Sequence, residues 1–187
     1  MNVESSFKKI LDEMKVLPII DPQFEVNRRV KFIKSMLLST GLSHLVLGIS
    51  GGVDSATCGR LAQIAINELG QEFPERGFSF IALRLPYGRQ IDEIDAQKSI
   101  KFICPSKNIL IDIKPSVDAT HERINSSISK NNLGLDRNEI REDFTKGNTK
   151  ARIRMTIQYE VASALGGLVL GTDHSAENIT GFYTKWG

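Results

Sequence analysis

The stretch His44-Leu45-Val46-Leu47-Gly48-Ile49-Ser50-Gly51-Gly52-Val53-Asp54-Ser55 decides the fold, because an apolar run passes through a glycine-rich turn into a helical one. His44 to Ile49 read as a buried parallel strand and Ala56 to Ala65 as a helix. Gly51 and Gly52 permit a tight turn that brings backbone N–H groups to an anion. Ser50 and Ser55 add hydroxyl donors, and the helix N-terminus adds a favourable dipole. Asp54 is the odd member of such a cradle. A carboxylate beside a polyphosphate is repelled unless a cation lies between them, so its natural partner is Mg²⁺. No lysine follows the glycines as in GxxxxGK[ST] loops, so cleavage between the α and β phosphates of ATP is the expected chemistry. The bland alternative is an ordinary strand-to-helix turn with Asp54 as the helix N-cap.

Outward from this unit the chain alternates. Phe7, Ile10, Leu11 and Met14, then Val26, Val30, Ile33 and Leu37, predict two amphipathic helices before the first strand, broken between Pro18 and Pro22. Phe78 to Leu85 and Asn108 to Ile113 read as second and third strands, separated by a helix from Asp92 to Cys104. Pro115 starts another helical stretch, Ser126 to Asp136 reads as a surface loop, and Asn148 to Leu165 is the longest helix candidate, ending at Gly166-Gly167. Leu168 to Gly171 is a short strand, and Thr172 opens a polar loop. The expected architecture is α/β, an open parallel sheet with helices on both faces, Rossmann-like, forming one domain over residues 1–187. Ligands in such sheets bind beyond the carboxyl ends of the strands. The unusual loops after Ile49, Leu85 and Leu170 all fall there.

Composition narrows the partners. With 24 basic and 22 acidic residues among 187, the net charge of +2 provides no global field for nucleic acid or an anionic membrane. Cys58 and Cys104 lack companions at metal spacing and read as reduced thiols. The N-terminus lacks the pattern of a secretory leader, and no apolar stretch reaches membrane-spanning length, so the cytoplasm is the expected compartment.

Four segments in order resemble ammonia-dependent NAD synthetases, a branch of the N-type ATP pyrophosphatases: the Ser50 to Ser55 loop, Arg84-Leu85-Pro86-Tyr87-Gly88-Arg89-Gln90, Phe144 to Met155, and Gly171 to Glu177 followed by Gly181 to Gly187. The resemblance implies the adenine nucleotide alpha hydrolase-like fold. It also implies amidation of nicotinic acid adenine dinucleotide (deamido-NAD) with ammonia, through an acyl-adenylate, to give NAD⁺, AMP and pyrophosphate. ATP would be held by Gly48, Ile49, Ser50, Gly51, Gly52, Val53, Asp54, Ser55, Arg84, Gln90 and Thr172. Mg²⁺ would be held by Asp54 and Glu177, and deamido-NAD by Phe144, Asn148, Arg152 and Lys185. No residue is implied as nucleophile or general base, and a homodimer is expected. Family members continue past Trp186-Gly187, so the resemblance also implies that a C-terminal part is lacking here.

Alternatives stand beside this reading. Another N-type pyrophosphatase, of the GMP synthetase or tRNA-modifying type, shares the first loop, and a nucleotide-binding fragment without turnover is a third possibility. Lys146, Lys150, Arg152 and Arg154 read either as a solvated helix face or, because cations near a helix start gain nothing from its dipole, as an anion site. Arg154 carries no assignment. Asp173 and Glu177 also fit as acids at a helix start, and His174 as a hydrogen-bonding loop residue.

Overall fold

The computed structural model describes residues 3–88, 93–134 and 139–187. Helices α1 (Val3–Glu13) and α2 (Pro22–Thr40) lead into β1 (His44–Gly48), followed by α3 (Val53–Glu72), β2 (Ser79–Arg84), α4 (Glu93–Ile103) and β3 (Lys107–Leu110). Then come α5 (Lys114–Lys130), α6 (Glu139–Leu165), β4 (Gly167–Val169) and α7 (Ser175–Thr180). The four strands form one parallel sheet in the order β3-β2-β1-β4, with Leu45 opposite Phe80 and Leu168.

Alternation along the strands builds two cores. Leu45, Leu47, Ile49, Phe80 and Ala82 face one way and pack with Leu37 of α2, Ala62, Ile66 and Leu69 of α3, and Ile103 of α4. Val46, Ile81, Leu83 and Leu85 face the other way, onto Ile113, Val117 of α5 and Ala162 of α6. Helices therefore cover both faces, as the unbroken apolar run of β1 requires. The order reverses at β1. β2 and β3 extend on one side of it and β4 lies on the other, so the crevice that a doubly wound sheet offers a ligand opens between the carboxyl ends of β1 and β4.

Several boundaries differ from the sequence reading. The first turn of α2 is capped by Asp21, whose carboxylate accepts from Gln23 N (2.9 Å) and Phe24 N (3.1 Å). Ser126 to Lys130, read as loop, continue α5. The helix stops at Asn131, and Asn132 takes the left-handed conformation while Leu133 N reaches back to Ile128 O. The more consequential difference is α6, which starts at Glu139, well before Asn148. Gly147-Asn148 looks like a helix start because glycine costs about 1 kcal/mol inside a helix. Here Lys146 is fastened to Asp118 of α5 at 2.8 Å, and that tertiary contact carries the helix through the glycine.

Gly59 is a second glycine inside a helix, and its cause is visible. A Cβ there would lie 2.8 Å from Ile103 Cδ1, so α3 and α4 approach through the missing side chain. Gly59→Ala is expected to destabilise by about 1–3 kcal/mol despite the better helix propensity of alanine. Adding Ile103→Val, which removes the clashing Cδ1, should recover part of that loss beyond additivity. Denaturant unfolding of the two single variants and the double variant checks it, and strict additivity would refute the close-approach explanation.

Candidate functional site

The loop between β1 and α3 is a compact hydroxyl and amide cluster. Ser50 Oγ accepts from Gly52 N at 3.2 Å and lies 3.1 Å from Ser55 Oγ, which donates to Gly52 O at 3.1 Å. Gly51 has φ +96°, and a Cβ on it would meet the backbone N of Ala96 at 2.9 Å, so this position requires glycine on both counts. Gly52 has an ordinary φ of −75° and is the N-cap of α3, with no side chain capping the helix. The alternative with Asp54 as N-cap is therefore corrected. Asp54 stands in the first turn with its side chain half exposed. Ile49 is buried and offers only backbone to a ligand, whereas Val53 is exposed at the rim.

Thr172 follows β4 at the same edge of the sheet, and Arg84 closes β2 there. Gln90 lies outside the described residues. His174, next along, is the N-cap of α7, and its backbone N–H donates to Glu177 Oε2 at 3.2 Å in a capping box. The reading of Glu177 as a helix-start acid is thus realised. The His174 ring also joins the two implied metal ligands, with Nε2 3.7 Å from Asp54 Oδ1 and 3.9 Å from Glu177 Oε2. Asp54 and Glu177 thus both border His174, and each offers the hard oxygen donor that Mg²⁺ takes.

The implied dinucleotide contacts come together in part. Asn148 Oδ1 accepts from Thr184 Oγ1 at 2.9 Å, and the Arg152 guanidinium donates to Lys185 O through Nε and Nη2, both at 3.2 Å. Lys185 Nζ lies 5.7 Å from the Trp186 ring centroid. Phe144 stands on the same row of α6 two turns before Arg152 and is exposed, without joining the others. The dipole argument for Arg152 is overturned: it sits mid-way along α6 instead of in the first turns, so no helix end acts on it.

Two adjoining cavities occupy the edge. One, of about 840 Å³, is lined by Gly48, Gln158, Thr172, Glu177, Tyr183 and Lys185 among others. The second, of about 640 Å³, is bordered by Asp54, Cys58, Leu61, Leu170 and His174. Burial pushes the Cys58 thiol up from its ordinary value, which disfavours the reactive thiolate.

Sequence reasoning missed a charged cluster at the end of β2. Tyr87 donates its hydroxyl to Asp118 Oδ1, which also pairs with Lys146, while Lys114 pairs with the other carboxylate oxygen. Lys114, Lys146 and Lys150 all lie within 5.3 Å of the Tyr87 ring centroid. Lys146 and Lys150 are therefore not a plain solvated face: both pack on an aromatic ring, and Lys146 also pairs with Asp118. The signal was present as an i, i+4 pair on α6, but nothing in the sequence joins it to Tyr87 or Asp118. Hydrogen bonds from Lys114, then Lys146 and Tyr87, hold the Asp118 carboxyl well below the usual range, and Asp118 raises Lys146.

The NAD synthase family matches residues 25–187 of this chain. An NH₃-dependent NAD⁺ synthetase of Vibrio vulnificus is 55% identical over 178 residues, covering 95% of this chain and 64% of the relative. One from Aliivibrio salmonicida is 57% identical over 180 residues, covering 96% and 65%. The crystal structure of NAD⁺ synthetase from Burkholderia pseudomallei superposes with a TM-score of 0.81 at 39% identity, over 95% of this chain and 74% of that one. The chain thus spans a little under two thirds of the length of the curated relatives.

The depressed Asp118 carboxyl has a pH consequence. A lowered folded-state pKa contributes stability that is present above the unfolded value, about 3.9, and is lost as pH falls through the folded one. Asp118→Asn should lower the melting temperature at pH 7, and the gap to wild type should close on acidification below about pH 4. Thermal melts across pH 2–8 check this, and a gap independent of pH would refute the ionic origin.

Proposed function

Because the chain belongs to the NAD synthase family, we propose that the complete protein amidates deamido-NAD with ammonia, consuming ATP and releasing AMP and pyrophosphate. The observation that carries the reading is the convergence, at one sheet edge, of the Ser50–Ser55 cluster, Asp54 and Glu177 about His174, and the Arg152–Lys185 tie. In the first step a carboxylate oxygen of deamido-NAD attacks the α-phosphorus as the bond to pyrophosphate breaks. Ammonia then adds to the acyl carbon, AMP leaves, and a proton is lost.

The chain's own work in this reading is positioning and charge neutralisation. The backbone N–H groups at Gly51, Gly52 and the start of α3, with the Ser50 and Ser55 hydroxyls, hold the phosphates. Arg84, Gln90 and Thr172 complete the ATP contacts. Asp54 and Glu177 would hold Mg²⁺, which when bound neutralises phosphate charge in the leaving group. Asn148, Arg152 and Lys185 border the dinucleotide, and Phe144 offers it an aromatic face.

Product analysis tests the reading. Complete protein given ATP, Mg²⁺, ammonium and deamido-NAD should yield NAD⁺ with AMP and pyrophosphate in equal amounts, and ADP as the main nucleotide product would overturn it. Asp54→Asn, folded by circular dichroism, should lose about ten- to a hundred-fold in Mg-ATP affinity, about 1.5–3 kcal/mol for a contact to a charged group. Unchanged affinity by calorimetry would remove Asp54 from the site.

We further propose a homodimer, working in the cytoplasm where ATP is supplied. Exposed Phe7, Leu17, Ile19, Phe24, Phe32 and Met36 on and between α1 and α2 support a self-association face. No helix among the described residues is long and apolar enough to cross a membrane. Light scattering of the active complete protein at micromolar concentration should give twice the chain mass, and a monomer would rule the dimer out.

A further inference from the structure

The last backbone N–H of β1 is received by a side chain. N–H groups along a strand point alternately to its two neighbours, and Ile49 N donates to Leu83 O of β2 at 2.8 Å, so Gly48 N faces β4. On that side Leu170 N still donates to Val46 O at 2.9 Å, after which the chain leaves the sheet. Gly48 N donates instead to Gln158 Oε1 of α6 at 2.7 Å.

Gln158 is fitted to this place from both directions. Its Nε2 donates to Arg154 O at 3.3 Å, which orients the amide with its oxygen toward β1. Gly48 makes room for it, since a Cβ there would lie 3.1 Å from Oε1. One turn earlier on the same row, Arg154 Nε donates to Leu85 O at 3.0 Å, at the end of β2. Two successive rungs of α6 thus hold the ends of both central strands, while another row of the helix holds Thr184 and Lys185 through Asn148 and Arg152. Gln158 also lines the larger cavity at the crevice between β1 and β4.

We propose that Gln158 is a positioning residue, which fixes the phosphate-binding loop after Gly48 against the dinucleotide-binding face of α6. Its catalytic consequence rests on the amidation reading above, whereas its hold on the loop does not. An acceptor that fixes the strand end before the ligands arrive sets the distance between the two reacting groups, so its loss should appear in turnover more than in binding.

The test uses complete protein carrying Gln158→Met, which keeps the length and removes the acceptor, and Gln158→Glu, which keeps the acceptor. Gln158→Met should lower kcat about ten- to a hundred-fold with both KM values within about threefold, and speed amide exchange across residues 48–55 about tenfold. Gln158→Glu keeps the acceptor but loses the donor to Arg154 O and adds a charge, so its loop exchange should fall between wild type and Gln158→Met. A Gln158→Met enzyme with wild-type kcat and wild-type loop exchange would overturn the proposal, and so would equally fast loop exchange in the two variants. If Gln158→Met does not fold, Gln158→Ala, which also removes the acceptor, takes its place with the same expected and overturning results. If wild-type protein forms no NAD⁺, the amidation reading fails, and Gln158 is judged on loop exchange alone.

Discussion

At the carboxyl end of β1 the neighbouring strand no longer supplies an acceptor for the next backbone N–H, that of Gly48. β4 is only three residues long, and its chain turns away after Leu170, which parts the two strands at the point where strand order reverses. The separation creates the crevice in which a doubly wound sheet binds its ligand. It also strands Gly48 N–H, and the Gln158 amide fills the vacated acceptor position. Glycine at 48, glutamine at 158 and the short β4 are therefore parts of one solution. The Ser50–Ser55 loop follows directly from that contact.

The charges on α6 divide by row. Lys146, Lys150 and Arg154 face the end of β2, where Asp118 and the Tyr87 ring receive the lysines and Leu85 O receives the guanidinium. Phe144, Asn148 and Arg152 occupy another row, on which Asn148 and Arg152 meet Thr184 and Lys185. A single basic run in the sequence thus carries two unrelated duties. The first row docks the helix, with Asp118 shared between Lys114 and Lys146, so each ammonium has a partner without a ligand. The second row has spent the Arg152 fork on a backbone carbonyl. That ties down the Lys185 backbone and leaves the Lys185 ammonium over the Trp186 ring.

Most of the sheet was legible because burial on both faces imposes an apolar run that few other structures produce. His44 to Gly48 and Ser79 to Arg84 lie within one residue of the strands read from the sequence. The turn after β1 was legible for a related reason: Gly51 requires both a positive φ and the absence of a Cβ, and these leave a mark in the residue type. The N-terminal half of α6 was not legible, because its ties are to α5, Lys146 to Asp118 and Glu142 to His121, whereas local propensity at Gly147-Asn148 argues for a boundary. Gln158 was missed for the same cause. A glutamine inside a helix is unremarkable until the sheet brings Gly48 to it. Residues whose role depends on local conformation could be read, and residues whose role depends on what the fold places opposite them could not.

The Asp54, His174 and Glu177 group joins these two kinds of information. Asp54 belongs to the loop after β1 and Glu177 to a six-residue helix after β4, so their approach depends on the same crevice that Gln158 helps to hold. In this group the His174 ring lies within 4 Å of both carboxylates. Glu177 is also held by the His174 N–H, so the side chain is oriented by its cap before any ion or nucleotide arrives. Asp54 has no such cap bond and is half exposed. The two ligands of the proposed Mg²⁺ site are thus unequally prepared. Glu177 contributes a carboxylate already fixed to α7, whereas Asp54 depends on the placement of the loop, and therefore on the anchor at Gly48, to complete the pair.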